Sequence, residues 1–313
     1  MLRIRVTEES IAMLLGQGEI RCPTHLYTGQ EAIAVGICAA LDSQDYIFGG
    51  HRSHGHYLAK GGDLRALVAE LYGKATGCAR GRGGSMHLVA PEVGLLGTVP
   101  LVAATIPIGV GAALASKLRG ERRVSVPFFG DGATEEGHFH ESLNLAANFR
   151  LPVVFVCENN LYSSHMHINE RRAEDNIHKS GEAHGLPGVC LDGNDVVAVY
   201  RAGIEAIDRA RRDGGPTLLE CRTYRWRGHV GPAFDTDVGV KRKNEMGYWI
   251  PRDPVARART RLVEMGLAQS EIDHIEQEII AEVQEAIQFA RESLSPSADD
   301  LEKHVFINPQ TGR

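Results

Sequence analysis

Two short apolar runs organise the middle of the chain. Residues 124–129 (VSVPFF) and 153–157 (VVFVC) are β-branched or aromatic with almost no polar alternation, the pattern of strands covered on both faces. Between them Phe139, Leu143, Ala146 and Ala147 recur at helical spacing. A strand, crossover helix and returning strand of this kind become close neighbours in a parallel sheet. The same reading predicts a helix over 6–20, with Ile11, Leu14 and Leu15 on one side and Gly16 and Gly18 ending it. Further helices are expected from Gln30 to Leu41, over 64–72, over 108–117 after Pro107, over 195–212 and over 270–293. The last carries an apolar stripe of Ile272, Ile275, Ile279, Ile280, Val283 and Ile287. Residues 217–221 resume the sheet, and residues 100–106 read as an extended approach to a helix. Glycine- and histidine-rich loops are expected at 49–56 and 77–87, a polar surface loop at 161–180, and an aperiodic stretch at 228–254, a length usually kept for function. The expected fold is α/β, a parallel sheet flanked by helices with helical N- and C-terminal extensions. It reads as a single domain over 1–313, its core about 25–230 and its helical C-terminal extension about 254–313.

Composition narrows the function. An apolar fraction of 43% over 313 residues supports a sizeable core. The formal charge of −6 and pI near 6.2 leave no basic footprint for nucleic acid, so Arg3, Arg5, Arg80 and Arg82 read as local charges or phosphate contacts. No apolar run approaches the roughly 18 residues of a membrane span, and the start MLRIRVTEES has no apolar signal core. The six cysteines are dispersed and form no CxxC pair, which suits reduced, packed thiols and a cytoplasmic setting.

The tract Gly130-Asp131-Gly132-Ala133, answered by Glu158-Asn159-Asn160 at the end of the next strand, carries the chemistry. Both halves fall at the carboxyl edge of the sheet, where such folds bind ligands. Glycines let backbone amides approach a bulky anion. Asp131 and Asn160 offer the hard oxygen atoms that Mg²⁺ shares with substrate phosphates. Alone, the first half also reads as a tight turn with Asp131 capping a helix; the second half, at strand–helix–strand distance, favours a metal-held diphosphate.

From here the sequence resembles the thiamine-diphosphate-binding alpha subunit of the 2-oxo acid dehydrogenase complexes. The resemblance rests on GDGATEEGHFHESLNLAANFRLPVVFVCENN, on HLYTGQEA at 25–32, HRSHG at 51–55, GRGGSMH at 81–87, IPIGVGAALA at 106–115 and YRWRGH at 224–229, in family order from about residue 10 to 230. It implies the thiamin diphosphate-binding fold. It also implies a separate beta subunit that supplies the activating glutamate, in an α₂β₂ heterotetramer, because one chain of this length holds only the diphosphate-gripping half. The implied activity is decarboxylation of a 2-oxo acid, or cleavage of acetoin, with the acyl unit passed to a lipoyl acyltransferase. A two-subunit, transketolase-like carboligase with an aldehyde or other carbonyl acceptor is the alternative.

The resemblance also assigns residues. Asp131 and Asn160, with the Tyr162 carbonyl, would bind Mg²⁺. Gly132 and Ala133 would give backbone donors to the diphosphate, Arg52 would bind it by charge-assisted hydrogen bonds, and Pro100 and Val102 would meet the aminopyrimidine. His25 and His229 match positions near cofactor and substrate. His51 stands where the family usually has tyrosine. His54 is a candidate for ordering the channel or handling protons, with a simple hydrogen-bonded loop histidine as the competing reading. A metal site built from His51, His54 and His56 is a further alternative, although zinc requires a closed ligand set. The segment GHVGPAFDTDVGVKRKNE at 228–245 departs most from the family: Val230 replaces the serine of regulated members, which excludes phosphorylation there.

Overall fold

The computed structural model describes residues 1–236 and 242–300; residues 237–241 of the divergent segment and residues 301–313 of the expected C-terminal extension lie outside the described residues. In chain order the strands are β1 (Tyr46–Gly49), β2 (Leu95–Thr98), β3 (Ser125–Gly130), β4 (Val154–Asn159), β5 (Tyr162–Ser163), β6 (Met166–His167), β7 (Gly188–Asp192) and β8 (Thr217–Arg222). The helices are α1 (Leu2–Gly16), α2 (Glu31–Ala39), α3 (His54–Ala59), α4 (Leu64–Leu71), α5 (Thr105–Leu118), α6 (Gly137–Asn148), α7 (Ile168–Arg171), α8 (Lys179–Ala183), α9 (Val196–Arg211), α10 (Arg242–Trp249), α11 (Pro254–Glu264) and α12 (Gln269–Glu292). Six strands form one parallel sheet in the order β2-β1-β3-β4-β8-β7.

The continuous apolar runs of β3, β4 and β8 follow from burial on both faces. Val126 and Phe128, Val154 and Val156, and Leu219 and Cys221 pack into one core with α2 and α9. Phe129, Phe155, Cys157 and Leu218 point the other way, into a core with Phe139 and Leu143 of α6 and Val110 of α5. A period of two therefore remains, but both phases are apolar. Each fully buried Phe or Val contributes on the order of 1.5–3 kcal/mol relative to exposure.

Helix ends have local causes. Asp195 caps α9 by accepting from the amides of Val197 and Ala198, at 2.9 and 3.2 Å. Helix α5 begins two residues before Pro107 rather than after it, since the first turn of a helix leaves amides unpaired and a proline there costs no hydrogen bond. The expected extended approach at 100–106 is consequently a turn, with Ala103 at φ 62°. The loop expected at 49–56 gives way to α3 from His54, and the loop expected at 161–180 holds the β5–β6 hairpin, α7 and α8. Likewise α10 interrupts the aperiodic 228–254 stretch. Helix α12 docks on α1 and α4 through Val283, Ala286, Ile287 and Ala290, with Ile272 also buried, while Ile275, expected in the stripe, is 45% exposed.

Gly29, in the HLYTGQEA motif, fixes the entry to α2. Its φ is +100°, and an added Cβ would lie 2.4 Å from the Tyr224 carbonyl oxygen, where Trp226 donates its amide to the Thr28 carbonyl at 2.9 Å. Gly29→Ala is therefore expected to lower stability by more than about 1 kcal/mol, read as a lower urea midpoint with an unchanged slope.

Candidate functional site

The carboxyl ends of five strands open into one cavity of about 230 Å³. Past β1 come His51 and Arg52; past β2, Pro100 and Val102; past β3, Asp131, Gly132 and Ala133; past β4, Asn160 and Tyr162; past β8, Arg225 and His229. His25 joins them from the segment before α2. The pairing of Gly130 with Glu158 in the β3–β4 register is what brings Asp131 and Asn160 to the same edge. His54 does not line the cavity. It is fully buried behind it, with Nδ1 3.1 Å from Glu8 Oε1 and Nε2 2.8 Å from Ser85 Oγ. Its contact with the site is indirect, because the His25 amide donates to the same Ser85 hydroxyl at 3.4 Å. His56 is likewise separate, with Nε2 2.9 Å from Glu158, so the run at 51–56 makes no shared metal site.

Positive charge dominates the cavity. Arg52, 7% exposed, donates to the carbonyls of Leu26 at 2.6 Å and His229 at 3.1 Å. Arg225, 1% exposed, approaches His229 Nδ1 at 3.3 Å and donates to the Ser164 carbonyl. Burial pushes Arg52 down to about 10, with Arg242 adding to it against nearby carboxylates, and pushes Arg225 down to about 9, with the charges of Arg52 and Arg242 adding to it. Around them His25 Nδ1, Gln30 Nε2 and Arg225 Nε are buried without a hydrogen-bond partner. Buried polar groups are normally paired, so this wall is short of acceptors.

The rings of His25, His51 and His229 converge, with centroids 4.5, 4.9 and 5.4 Å apart, and their nitrogen atoms have the spacing of a metal set. Burial first, and then the charge of Arg52, lowers them to about 3, 2 and 4 respectively. The guanidiniums that keep these rings neutral also repel a cation among them. The trio suits hydrogen bonding to an anionic ligand better than coordination.

On the opposite wall, Asp131 is 1% exposed, and burial pushes its carboxyl up against the opposing charge of Arg171, its ion-pair partner. Asn160 donates through Nδ2 to Gln30 Oε1 at 2.9 Å, while its Oδ1 accepts the Tyr162 amide at 3.2 Å. The Tyr162 phenol is tied to Glu245 at 2.8 Å. Gly132 is required by contact, since a Cβ there would fall 2.5 Å from Ser163 Oγ, whereas Gly130 faces open space. A carboxylate, an amide oxygen and a neighbouring backbone carbonyl form an all-oxygen set that fits a hard divalent cation. The buried polar atoms without partners among the described residues, Gln30 Nε2 beside Asn160 included, fit an anion.

Several contributors escaped the sequence reading. Arg225, Gln30 and Glu158 sit inside motifs whose other residues were singled out, so the signal was present. Glu158 lines the cavity and is held by Tyr27 and His56. Arg171 stands in an ordinary polar stretch and gives no sequence signal.

The chain is similar to known proteins along its length. Residues 1–299 match the family described as Dehydrogenase E1 component. The alpha subunit of acetoin:2,6-dichlorophenolindophenol oxidoreductase from Bacillus subtilis (strain 168) is 41% identical, over 100% of this chain and 93% of that protein. The chloroplastic pyruvate dehydrogenase E1 component subunit alpha-3 from Oryza sativa subsp. japonica is 41% identical over 98% of this chain and 74% of that one. The pyruvate dehydrogenase E1 component subunit alpha from Porphyra purpurea is 39% identical over 98% and 91%. None of these three favours the carboligase alternative.

The histidine trio gives a pH prediction. Free histidines take up protons near 6.5, and these three resist until far lower pH, so the unfolded chain binds more protons across that window and stability falls as pH drops through it. Urea midpoints of the unliganded chain should decrease from pH 7 to pH 5, and by less in His51→Phe; equal pH dependence in the two chains would contradict the assignment.

Proposed function

The chain belongs to the dehydrogenase E1 component family as an alpha subunit, and from that premise we propose how its residues serve the reaction. It is the alpha subunit of a thiamine-diphosphate-dependent 2-oxo acid dehydrogenase and acts with a beta subunit in a heterotetramer. When bound, thiamine diphosphate supplies a thiazolium carbon that adds to the substrate carbonyl and takes up the electron pair released with carbon dioxide. The observation that carries the site assignment is the pair of buried, mutually repelling guanidiniums, Arg52 and Arg225, facing the glycine-bordered turn at Asp131.

In this reading the diphosphate lies between Arg52, Arg225 and the amides of Gly132 and Ala133, which gives an acceptor to Arg225 Nε, a donor without a partner among the described residues. Asp131, Asn160 and the Tyr162 carbonyl hold Mg²⁺. Pro100 and Val102 border the aminopyrimidine. His25, His51 and His229 stay neutral, so each ring keeps one donor and one acceptor nitrogen toward the reacting groups. His54 acts through Ser85 to hold the His25 backbone. The pyrimidine-activating glutamate comes from the beta subunit.

The named substrates of the relatives, acetoin and pyruvate, support a small 2-oxo acid or acetoin here, with the acyl unit handed to a lipoyl acyltransferase. We take the whole chain as one diphosphate-gripping domain with a helical C-terminal extension. None of the six cysteines is in a disulfide, and no helix among the described residues is long and apolar enough to cross a membrane; both support a cytoplasmic enzyme.

Asp131→Ala is expected to weaken Mg²⁺-dependent thiamine diphosphate binding to the heterotetramer by more than about 100-fold, beyond the 10–100-fold typical of groups that merely support a ligand, with the circular dichroism of the fold retained. Unchanged affinity in calorimetry would sink the metal assignment.

A further inference from the structure

Arg171 ends α7, the four-residue helix that follows the β5–β6 hairpin. Its side chain is nearly buried and pairs with two carboxylates at once, Asp131 through one amino group and Glu135 through the other. Its Nε also donates to the Met166 carbonyl at 3.2 Å, tying it to the hairpin. The carboxylate best placed to hold a divalent cation therefore already has a counter-ion from the chain itself, and Arg225 adds a second positive field on the same group.

We propose that Arg171 gates the metal position: it neutralises Asp131 when no diphosphate is present, so that a divalent cation enters only together with a diphosphate. The inference rests on the reading of Asp131, Asn160 and Tyr162 as metal ligands. A bare divalent ion at Asp131 must displace Arg171 and places its charge in the field of Arg225 as well, so the balance of charge at that carboxylate opposes it. A diphosphate reverses the balance. Asp131 can then turn toward the metal, while Glu135 retains Arg171 so that the guanidinium is not left buried and unpaired. Because α7 continues directly from the hairpin bearing Tyr162 and Ser163, loading of the metal is linked to the placement of that segment. By linkage the metal and the diphosphate each strengthen the other's binding by the same factor.

The test uses the α₂β₂ heterotetramer, with Mn²⁺ as the metal and inorganic pyrophosphate as the anion. Electron paramagnetic resonance titrations are read against protein-free Mn²⁺–pyrophosphate. In the wild type, pyrophosphate should raise Mn²⁺ affinity at least about tenfold, within the usual range of coupling. Arg171→Gln should bind Mn²⁺ alone at least about tenfold more tightly than wild type and lose most of the pyrophosphate enhancement, while Arg171→Lys, which keeps the charge, should retain it. Equal wild-type affinity with and without pyrophosphate overturns the gate, as does an Arg171→Gln protein whose affinity for free Mn²⁺ is unchanged. Failure of the wild type to bind Mn²⁺ under either condition instead removes the metal reading on which the gate rests. If thermal melting shows that Arg171→Gln does not fold, Glu135→Gln decides. It deprives Arg171 of its second partner and should weaken Mn²⁺ binding in the presence of pyrophosphate; unchanged affinity there overturns the proposal.

Discussion

Positive charge buried without a directly hydrogen-bonded carboxylate, at the carboxyl end of a parallel sheet, is the constraint around which this molecule is built. Taking a guanidinium out of water is costly unless it is paired, yet Arg52 and Arg225 find carbonyl oxygens and a histidine nitrogen rather than carboxylates. The fold tolerates them because the rest of the chain is strongly over-determined. Two apolar cores clamp the central strands from both faces, and α12 brings an additional apolar stripe against α1 and α4. A cavity that holds guanidiniums in this way favours an anionic ligand.

Neutral histidine follows from burial first, with the same field adding to it. An isolated imidazole beside solvent titrates near neutrality; three of them packed between two guanidiniums do not. Their donor and acceptor pattern is thereby fixed across physiological pH, a useful property in a site that must bind an anion and handle a carbonyl substrate without being rearranged by protonation.

Much of this was legible in the sequence because it depends on local pattern. The runs at 124–129 and 153–157, the helix between them and the capped start of α9 are set by periodicity and by Asp195, and they appear within a residue or two of expectation. The cavity-lining placement of Asp131 and Asn160 follows from a rule about strand ends, whereas that of Arg52 and His229 was implied by the family resemblance. What was not legible depends on partners distant in the chain. His54 has the look of a channel residue until Glu8, which precedes it by more than forty positions, and Ser85 enclose it. Residues 161–180 read as solvent loop from polarity alone, yet Arg171 and Arg172 there reach Asp131, Glu135 and Thr134. Such polar groups are buried against charge rather than against apolar surface, and hydropathy has no term for that.

The divergent segment after β8 shows how the chain replaces what it lacks. Val230 has no hydroxyl to accept a phosphoryl group, so covalent charge cannot be added there to move the loop. The loop is instead fastened from within. The fully buried Arg242 donates to the carbonyls of Arg225, Arg227 and Phe234, and Asp235 accepts the His229 amide at 2.6 Å and lies 3.0 Å from His165. Gly228 has no side chain because Asp235 occupies the space a Cβ would take, with Oδ1 2.3 Å from that position. The histidine at the cavity and the arginine beside it are thus held by a guanidinium and a carboxylate that stay in the chain. The arrangement makes this side of the cavity a fixed part of the fold.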